Sequence, residues 1–512
     1  MKKTLALLLF IGNTSFIYAG TTPTPANPQQ LVAQSIAAMG GQEKLVQLKT
    51  LRLTGIGHTY LLEQSERPEG PWVVNYTQVQ QLRDYEHQRL RTLKESRNTQ
   101  QPEWAPQTVV YSDGAAAILA PAGQLMPGRR TMAEEAEETL QLAPEQVLLL
   151  ALKAPGLRAL KDTVLQGVVN HGVAFRQGAT QVKLYLNKYS HLPTLLQTTR
   201  AYPQELFWSV WGDVRSDMFF SYWSLTPEGV QYPLQYNLYR NNQPYQEFTI
   251  LQLELNPTIP ADTFAIPEQV QKAFAAQQVQ NYNQLPLGRP DQLAQELAPG
   301  VLQIPGYWNV ALIKQDDGVV LLEMPISPGY TAKALAKAKE LYPNLKVKAV
   351  VSTSDAWPHV AGVREAVAQK LPVYTLVLNQ PLLQRLVAAP FATTPDNLAQ
   401  HPTKAKIKPV TEKTVVGKGA NHMELYPIRG ESGERMLMVY FPEHRLLYAS
   451  DLVQQNRDGS FFQPAYIAEV VAAVQREGLQ VANVFAMHTG LLPYPKLQEA
   501  AVIAPTTASV QN

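Results

Sequence analysis

Two hydrophobic periods alternate along this chain, and their changes divide it. Residues 31–39 carry apolar side chains at helical spacing. Gly40 and Gly41 interrupt them, and 42–48 can resume a short helix. From Leu51 the period becomes two. Leu51 and Leu53 alternate with polar partners, as do Val73, Asn75 and Thr77, then Leu90, Thr92 and Lys94. Short strands follow at 109–112 and 116–119, and a helical block at 131–152. Strands return at 173–176, 182–186, 194–199, 218–223, 232–239 and 247–253. This half reads as mainly antiparallel β with a few helices.

The second half mixes the two periods. Strands are expected at 301–304, 310–314 and 319–323, the last two joined through Asp316-Asp317-Gly318, a hairpin turn. Helices at 331–341, 360–370, 381–389 and 467–477 are interleaved with strands at 347–352, 373–377, 414–416, 423–426, 435–441, 445–449 and 484–487. Helices between strands, with hairpins among them, predict two mixed sheets between helix layers.

The ends and the seam complete the division. Met1-Lys2-Lys3, an apolar run over 5–11 and a small-residue exit at Ala19 read as a secretory signal over 1–19. Residues 20–30, rich in Thr, Pro and Gln, read as a tether. Residues 274–290 are polar and bear Gln and Pro without sustained period, and read as a linker. That leaves domains at 31–273 and 291–502 and a tail at 503–512. No later stretch is long and apolar enough to cross a bilayer as a helix.

Composition narrows the chemistry. The 512 residues hold 44 Lys and Arg against 42 Asp and Glu, and Lys2 and Lys3 lie in the expected signal. A near-neutral chain has no electrostatic case for a nucleic-acid partner. Cys is absent, so disulfides, thiolate metal sites and a thiol nucleophile are excluded. A metal site must use Asp, Glu and the 9 His. No Gly-rich phosphate loop and no Gly-x-Ser-x-Gly elbow is present. The aromatic set Phe207, Trp208, Trp211, Phe219, Phe220, Tyr222 and Trp223 is expected to pack a curved sheet rather than to line a ligand groove.

Several strings carry family likenesses. "AAMGGQEKLVQLKTLRLTG" (37–55) and "ELNPTIPADTFAIP" (254–267) resemble periplasmic domains related to the lipoprotein carrier LolA. The resemblance implies an unclosed, curved antiparallel half-barrel with helices at one mouth, whose concave face offers an apolar groove. "GVVLLEMPISPGYTAKALAKAKELYP" (318–343), "KAVVSTSDAWPHVAGVREAV" (348–367), "ERMLMVYFPEHRLLYASDL" (434–452) and "VFAMHTG" (484–490) resemble, in order, four parts of the metallo-β-lactamase fold. The fold class implied is α+β in two domains, the second an αββα sandwich.

That second resemblance also implies a site. His359, Asp451 and His488 match three metal ligands of the family, with Asp451 and His359 implied as catalytic. Ser354, Ala356 and Ser432 fall where the family places the three His of a first metal, and Pro358 falls where it places a carboxylate. Ala has no donor atom and neutral Ser is a poor one. At most one ion is then expected, zinc or else iron or manganese, or none. Asp355 is a candidate replacement ligand in a loop phase that points away. His422 is a strand residue able to swing in, though a solvent-facing His is the plainer account. His444 is an exposed turn residue. The bland readings are His359 as the first residue of a helix, Asp451 as a cap or amide acceptor, and His488 as a hydrogen-bonded interior residue.

Two functions stay open. One is an exported, periplasmic or secreted metallo-hydrolase with a reduced site, acting on an ester- or amide-type bond. The other is a catalytically inactive relative that binds an apolar or envelope-derived ligand. Both take a small-molecule or lipid-like partner.

Overall fold

The computed structural model describes residues 27–63, 67–99 and 101–503, so the expected signal, most of the tether and all but one residue of the expected tail lie outside it. The described residues form a mixed α and β structure with three sheets.

Residues 50–255 build one 13-stranded sheet whose neighbouring strands are all antiparallel. Its first strand, Thr50–Leu61, lies in the middle. It pairs on one side with Val73–Asp84 and on the other with the last strand, Gln243–Leu255, for example Leu51 with Leu255. The edges are Leu125–Pro127 and Arg158–Leu165, so the sheet is open. Helices Pro28–Ala38, Arg130–Gln141 and Pro144–Lys153 pack on one face, where Val32, Ala136 and Val147 join Leu53, Leu184 and Tyr232 in one core.

The other two sheets face each other. One has seven strands, from Gln295–Ala298 to Lys406–Val410, antiparallel over its first four and parallel over its last four. The other has six, from Thr414–Val416 to Thr489–Pro493, and its single parallel step joins Leu446–Tyr448 to Asn483–Ala486. Val320, Leu322 and Val351 of the first meet Leu425, Val439 and Phe485 of the second. Helices Pro328–Leu341, Val363–Ala368 and Gln380–Ala388 cover the outer face of the first sheet, and Pro464–Arg476 and Tyr494–Ile503 cover the second. The order is the expected helix–sheet–sheet–helix layering. Strands buried on both sides read as unbroken apolar runs, and all five residues of Gly318–Leu322 and of Leu437–Phe441 are buried.

Several expectations need correction. Residues 28–30 of the expected tether are helical, because Asn27 caps that helix by accepting from the amides of Gln29 and Gln30. The block at 131–152 is two helices separated by Leu142 and Ala143. Residues of the expected linker make specific contacts. Phe274 is buried in the N-terminal core, the Tyr282 carbonyl accepts from Ser327, and the Asn283 side chain accepts from the amide of Gly329. The strand before His488 is not the last element, since Thr489–Pro493 and the helix Tyr494–Ile503 follow. Trp208 and Trp211 are not strand residues, although Trp208 packs edge-on to Tyr245 of the sheet at 5.4 Å. They lie beside a short 3-10 turn, edge-on to Trp357 at 5.2 and 5.0 Å, in a core shared by the N- and C-terminal parts.

That junction has a second fixing point. Gly212, at φ +63°, lies so close to Pro390 that a Cβ would strike its carbonyl. The next residue, Asp213, is buried and accepts from the amides of Ala392 and Thr393 at 2.8 and 3.0 Å.

Candidate metal centre

Three parallel-strand ends converge in the C-terminal part. The loop after Val347–Val351 delivers His359. The turn after Leu446–Tyr448 delivers Asp451. The end of Asn483–Ala486 delivers His488. Backbone bonds lock the last two together, with Ala449 donating to Phe485 at 3.0 Å and Met487 to Ser450 at 3.0 Å. Outside the carboxyl ends of parallel strands is where α/β sheets commonly present chemistry.

The three side chains meet. Each offers one ligand atom, and these atoms all lie within 4.8 Å of one another. His488 Nε2 is 2.6 Å from Asp451 Oδ1, and His359 Nδ1 is 3.7 Å from Asp451 Oδ2. His359 is 4% exposed, while Asp451 and His488 are partly open to solvent. Burial pushes the His359 imidazole down to about 4, so it is neutral, with a lone pair to offer, across the neutral range. Burial pushes the Asp451 carboxyl up. The neighbouring His359 and His488 and a hydrogen bond from Gln454 outweigh that and hold it below the usual range. Two imidazoles and a carboxylate, Asp451 anionic and His359 neutral among them, fit a single divalent ion.

The loop residues divide. The Ser354 hydroxyl lies 3.1 Å from His359 Nδ1 and is wholly buried, so it orients the ring. Ala356 contributes its carbonyl, which accepts from the amide of His359 at 2.9 Å, and the Pro358 carbonyl accepts from Ile326. Asp355 is buried but outside the triplet, and burial pushes its carboxyl up to about 7. Ser432 is held elsewhere, its amide donating to Glu469 at 3.0 Å.

The bland readings fare unevenly. His359 does not begin a helix, since the next helix starts at Val363 after a turn. Asp451 bonds side chains, His488 and Gln454, rather than capping a helix. His422 sits in the turn before Met423–Pro427, its Nδ1 3.2 Å from the Gly419 carbonyl, and does not join the triplet. His444 is half-buried rather than exposed, because its Nε2 bonds Asn421 Oδ1 at 2.6 Å. Asn421 is itself fixed by donating to the carbonyls of Pro299 and Lys314.

Other contributors carried no spacing signal. Trp308 stands edge-on to both imidazoles, at 5.5 Å from His359 and 6.3 Å from His488, and its neighbour Asn309 donates to the Met487 carbonyl. Behind the triplet, buried Glu323 accepts from the Thr353 amide at 3.2 Å and bonds the Thr353 hydroxyl, which bonds Ser450 at 2.7 Å. This chain ties the His359 loop to the Asp451 turn. Its one sequence clue is a carboxylate closing the apolar run Gly-Val-Val-Leu-Leu.

No protein-family model and no curated protein sequence matches the chain. Among solved structures it is similar to the metallo-β-lactamase from Pontibacter korlensis, at 15% identity over 41% of this chain and 97% of that one, with a TM-score of 0.31. It is similar to the DIM-1 metallo-β-lactamase at 12% identity over 42% of this chain and 96% of that one, with a TM-score of 0.31. It is also similar to the inverting sec-alkylsulfatase Pisa1 from Pseudomonas sp., at 15% identity over 42% of this chain and 41% of that one, with a TM-score of 0.31.

Proposed function

We propose that this chain is an exported, metallo-β-lactamase-fold hydrolase with a reduced, single-metal site, acting on an ester- or amide-type bond. One observation carries the reading: His359, Asp451 and His488, from three separate segments, bring one donor atom each within 4.8 Å of the others. Zinc is the first choice for such donors, and iron or manganese are served by them too. An ion held there supplies Lewis acidity at an open position. The chain's own residues do the rest. Asp451 stays anionic, His359 stays neutral, Ser354 and Gln454 orient them, and Trp308 shields one side. Ser354, Ala356, Pro358 and Ser432, in place of further ligands, limit the site to one ion. Export to the periplasm or beyond is supported by the basic and apolar start of the chain. The LolA-like half-barrel is supported by the open sheet with helices on one face.

The test is turnover. The protein, loaded with zinc, iron or manganese, is assayed on chromogenic esters and amides. Asp451→Asn lowers turnover by about 100-fold or more while leaving the circular dichroism spectrum unchanged. Turnover that survives both Asp451→Asn and chelation overturns the reading.

A second reading, a catalytically inactive relative that binds an apolar or envelope-derived ligand, is favoured by a cavity of about 990 Å³ in the N-terminal sheet, away from the triplet. Protein that neither binds metal nor turns over, yet takes up an apolar ligand, selects it.

A further inference from the structure

The N-terminal cavity has two kinds of wall. Leu53, Leu142, Leu196, Met218, Leu238 and Phe248 make it apolar along the sheet and the helix Arg130–Gln141. Basic side chains also line it, and they outnumber the acidic ones, Glu135, Glu138 and Glu205. An apolar groove alone has no need of them.

Some of these cations are already engaged. Arg200 pairs with Glu138 at 2.9 Å and Glu134 at 3.5 Å. Arg130 donates to the carbonyls of Gln277 and Ala275 at 2.8 and 3.2 Å. Lys94 and Arg129 line the cavity with no ion pair among the described residues.

Arg240 stands apart. Its side chain is 12% exposed, and its guanidinium lies 4.2 Å from the ring centre of Tyr245, 4.6 Å from Tyr202 and 4.9 Å from Trp208. The Glu205 carboxylate pairs with Nη1 at 3.6 Å, too long for a hydrogen bond, and neither Nε nor Nη1 has a hydrogen-bond acceptor among the described residues. Burial pushes the nearby Glu63 carboxyl up to about 7 and also raises that of Glu205, while Glu138, a further carboxyl acting on Arg240, is engaged by Arg200. A desolvated guanidinium caged by aromatic rings and short of acceptors is matched by an oxyanion.

We propose that this cavity binds an amphiphile with a single oxyanion head, a carboxylate or a phosphate monoester, seated toward Arg240, with its apolar stem along Leu196, Met218 and Phe248. The site shares no residue with the metal triplet, so metal-free protein can pass its test and metal-loaded protein can fail it.

Calorimetric titration of the full chain separates the contributions. The probes are dodecanoate and dodecyl phosphate, against dodecanol (stem without charge) and inorganic phosphate (charge without stem). The expected result is one site that takes at least one dodecyl anion about tenfold or more tighter than dodecanol, and tighter than inorganic phosphate by a similar factor. Whichever anion shows the preference identifies the head. Arg240→Gln abolishes the preference while dodecanol binding persists. Arg240→Lys, which keeps a cation at the same position, retains at least part of the preference, so that its loss in Arg240→Gln is read as lost charge rather than as misfolding. Equal affinity for dodecanol and both dodecyl anions overturns the proposal. So does inorganic phosphate binding as tightly as dodecyl phosphate, or an anion preference that Arg240→Gln leaves intact.

Discussion

Replacing Glu323 by Gln removes a titration that the fold has displaced far from its ordinary range. Glu323 closes the strand Gly318–Leu322 and has no exposed surface. Burial pushes its carboxyl from 4.5 up to about 8, against the hydrogen bonds from Thr353 that favour the anion. The folded protein therefore holds a proton there through most of the neutral range, whereas the unfolded chain releases it near 4.5. The sign follows from linkage. This group's contribution to stability is complete below 4.5, shrinks as pH rises, and is gone above about 8. The full span corresponds to about 5 kcal/mol, an upper bound once local relaxation is allowed. Gln keeps an acceptor for the Thr353 amide and hydroxyl but does not titrate. Urea denaturation followed by tryptophan emission, repeated from about pH 5 to about pH 9, reads the difference between the two proteins. The unfolding free energy of Glu323→Gln should gain on the native protein by about 3–5 kcal/mol across that range. Asp355 and Glu63, both pushed up by burial, bend the curves the same way but are common to both proteins and cancel in the difference. Curves that run parallel from end to end would refute the reasoning.

Other perturbations follow from the same contacts. Trp357→Ala empties the slot between Trp208 and Trp211 and should cost about 3–5 kcal/mol in chemical denaturation. Asp213→Ala leaves the buried-side amides of Ala392 and Thr393 without their acceptor. It should cost about 2 kcal/mol and speed proteolytic cleavage within 390–396. Gln454→Ala removes a donor that orients Asp451, and should weaken zinc binding about 10-fold, read by competition with a chromophoric chelator, while leaving the thermal midpoint nearly unchanged.

The layering of the C-terminal part was readable because parallel strands buried on both sides leave unbroken apolar runs, as in Gly318–Leu322, and because amphipathic helices fall between them. The alternation in the N-terminal half likewise marked antiparallel strands. What local pattern does not record is where distant segments meet. Trp208 and Trp211 look like strand aromatics, yet their partner Trp357 lies well over a hundred residues along the chain. The polar composition of the linker does not record its contacts, as in the Tyr282 carbonyl that receives Ser327 and the Asn283 side chain that receives the amide of Gly329. The triplet was readable only through likeness to a fold, since nothing in the spacing of His359, Asp451 and His488 brings them together. Trp308 and the Glu323–Thr353–Ser450 chain were missed because their roles depend on packing across strands. Arg240 was missed for the same reason, its significance lying in the rings that surround it.

The central question is whether the triplet of His359, Asp451 and His488 holds one ion. Metal-stripped protein titrated with zinc, with bound metal measured per chain by elemental analysis, answers this. One equivalent is expected in the native chain, retained after gel filtration, and none in His488→Ala or His359→Ala of unchanged fold. Native protein that stays metal-free after zinc, iron and manganese have each been offered would contradict it, as would one equivalent of metal that both variants retain.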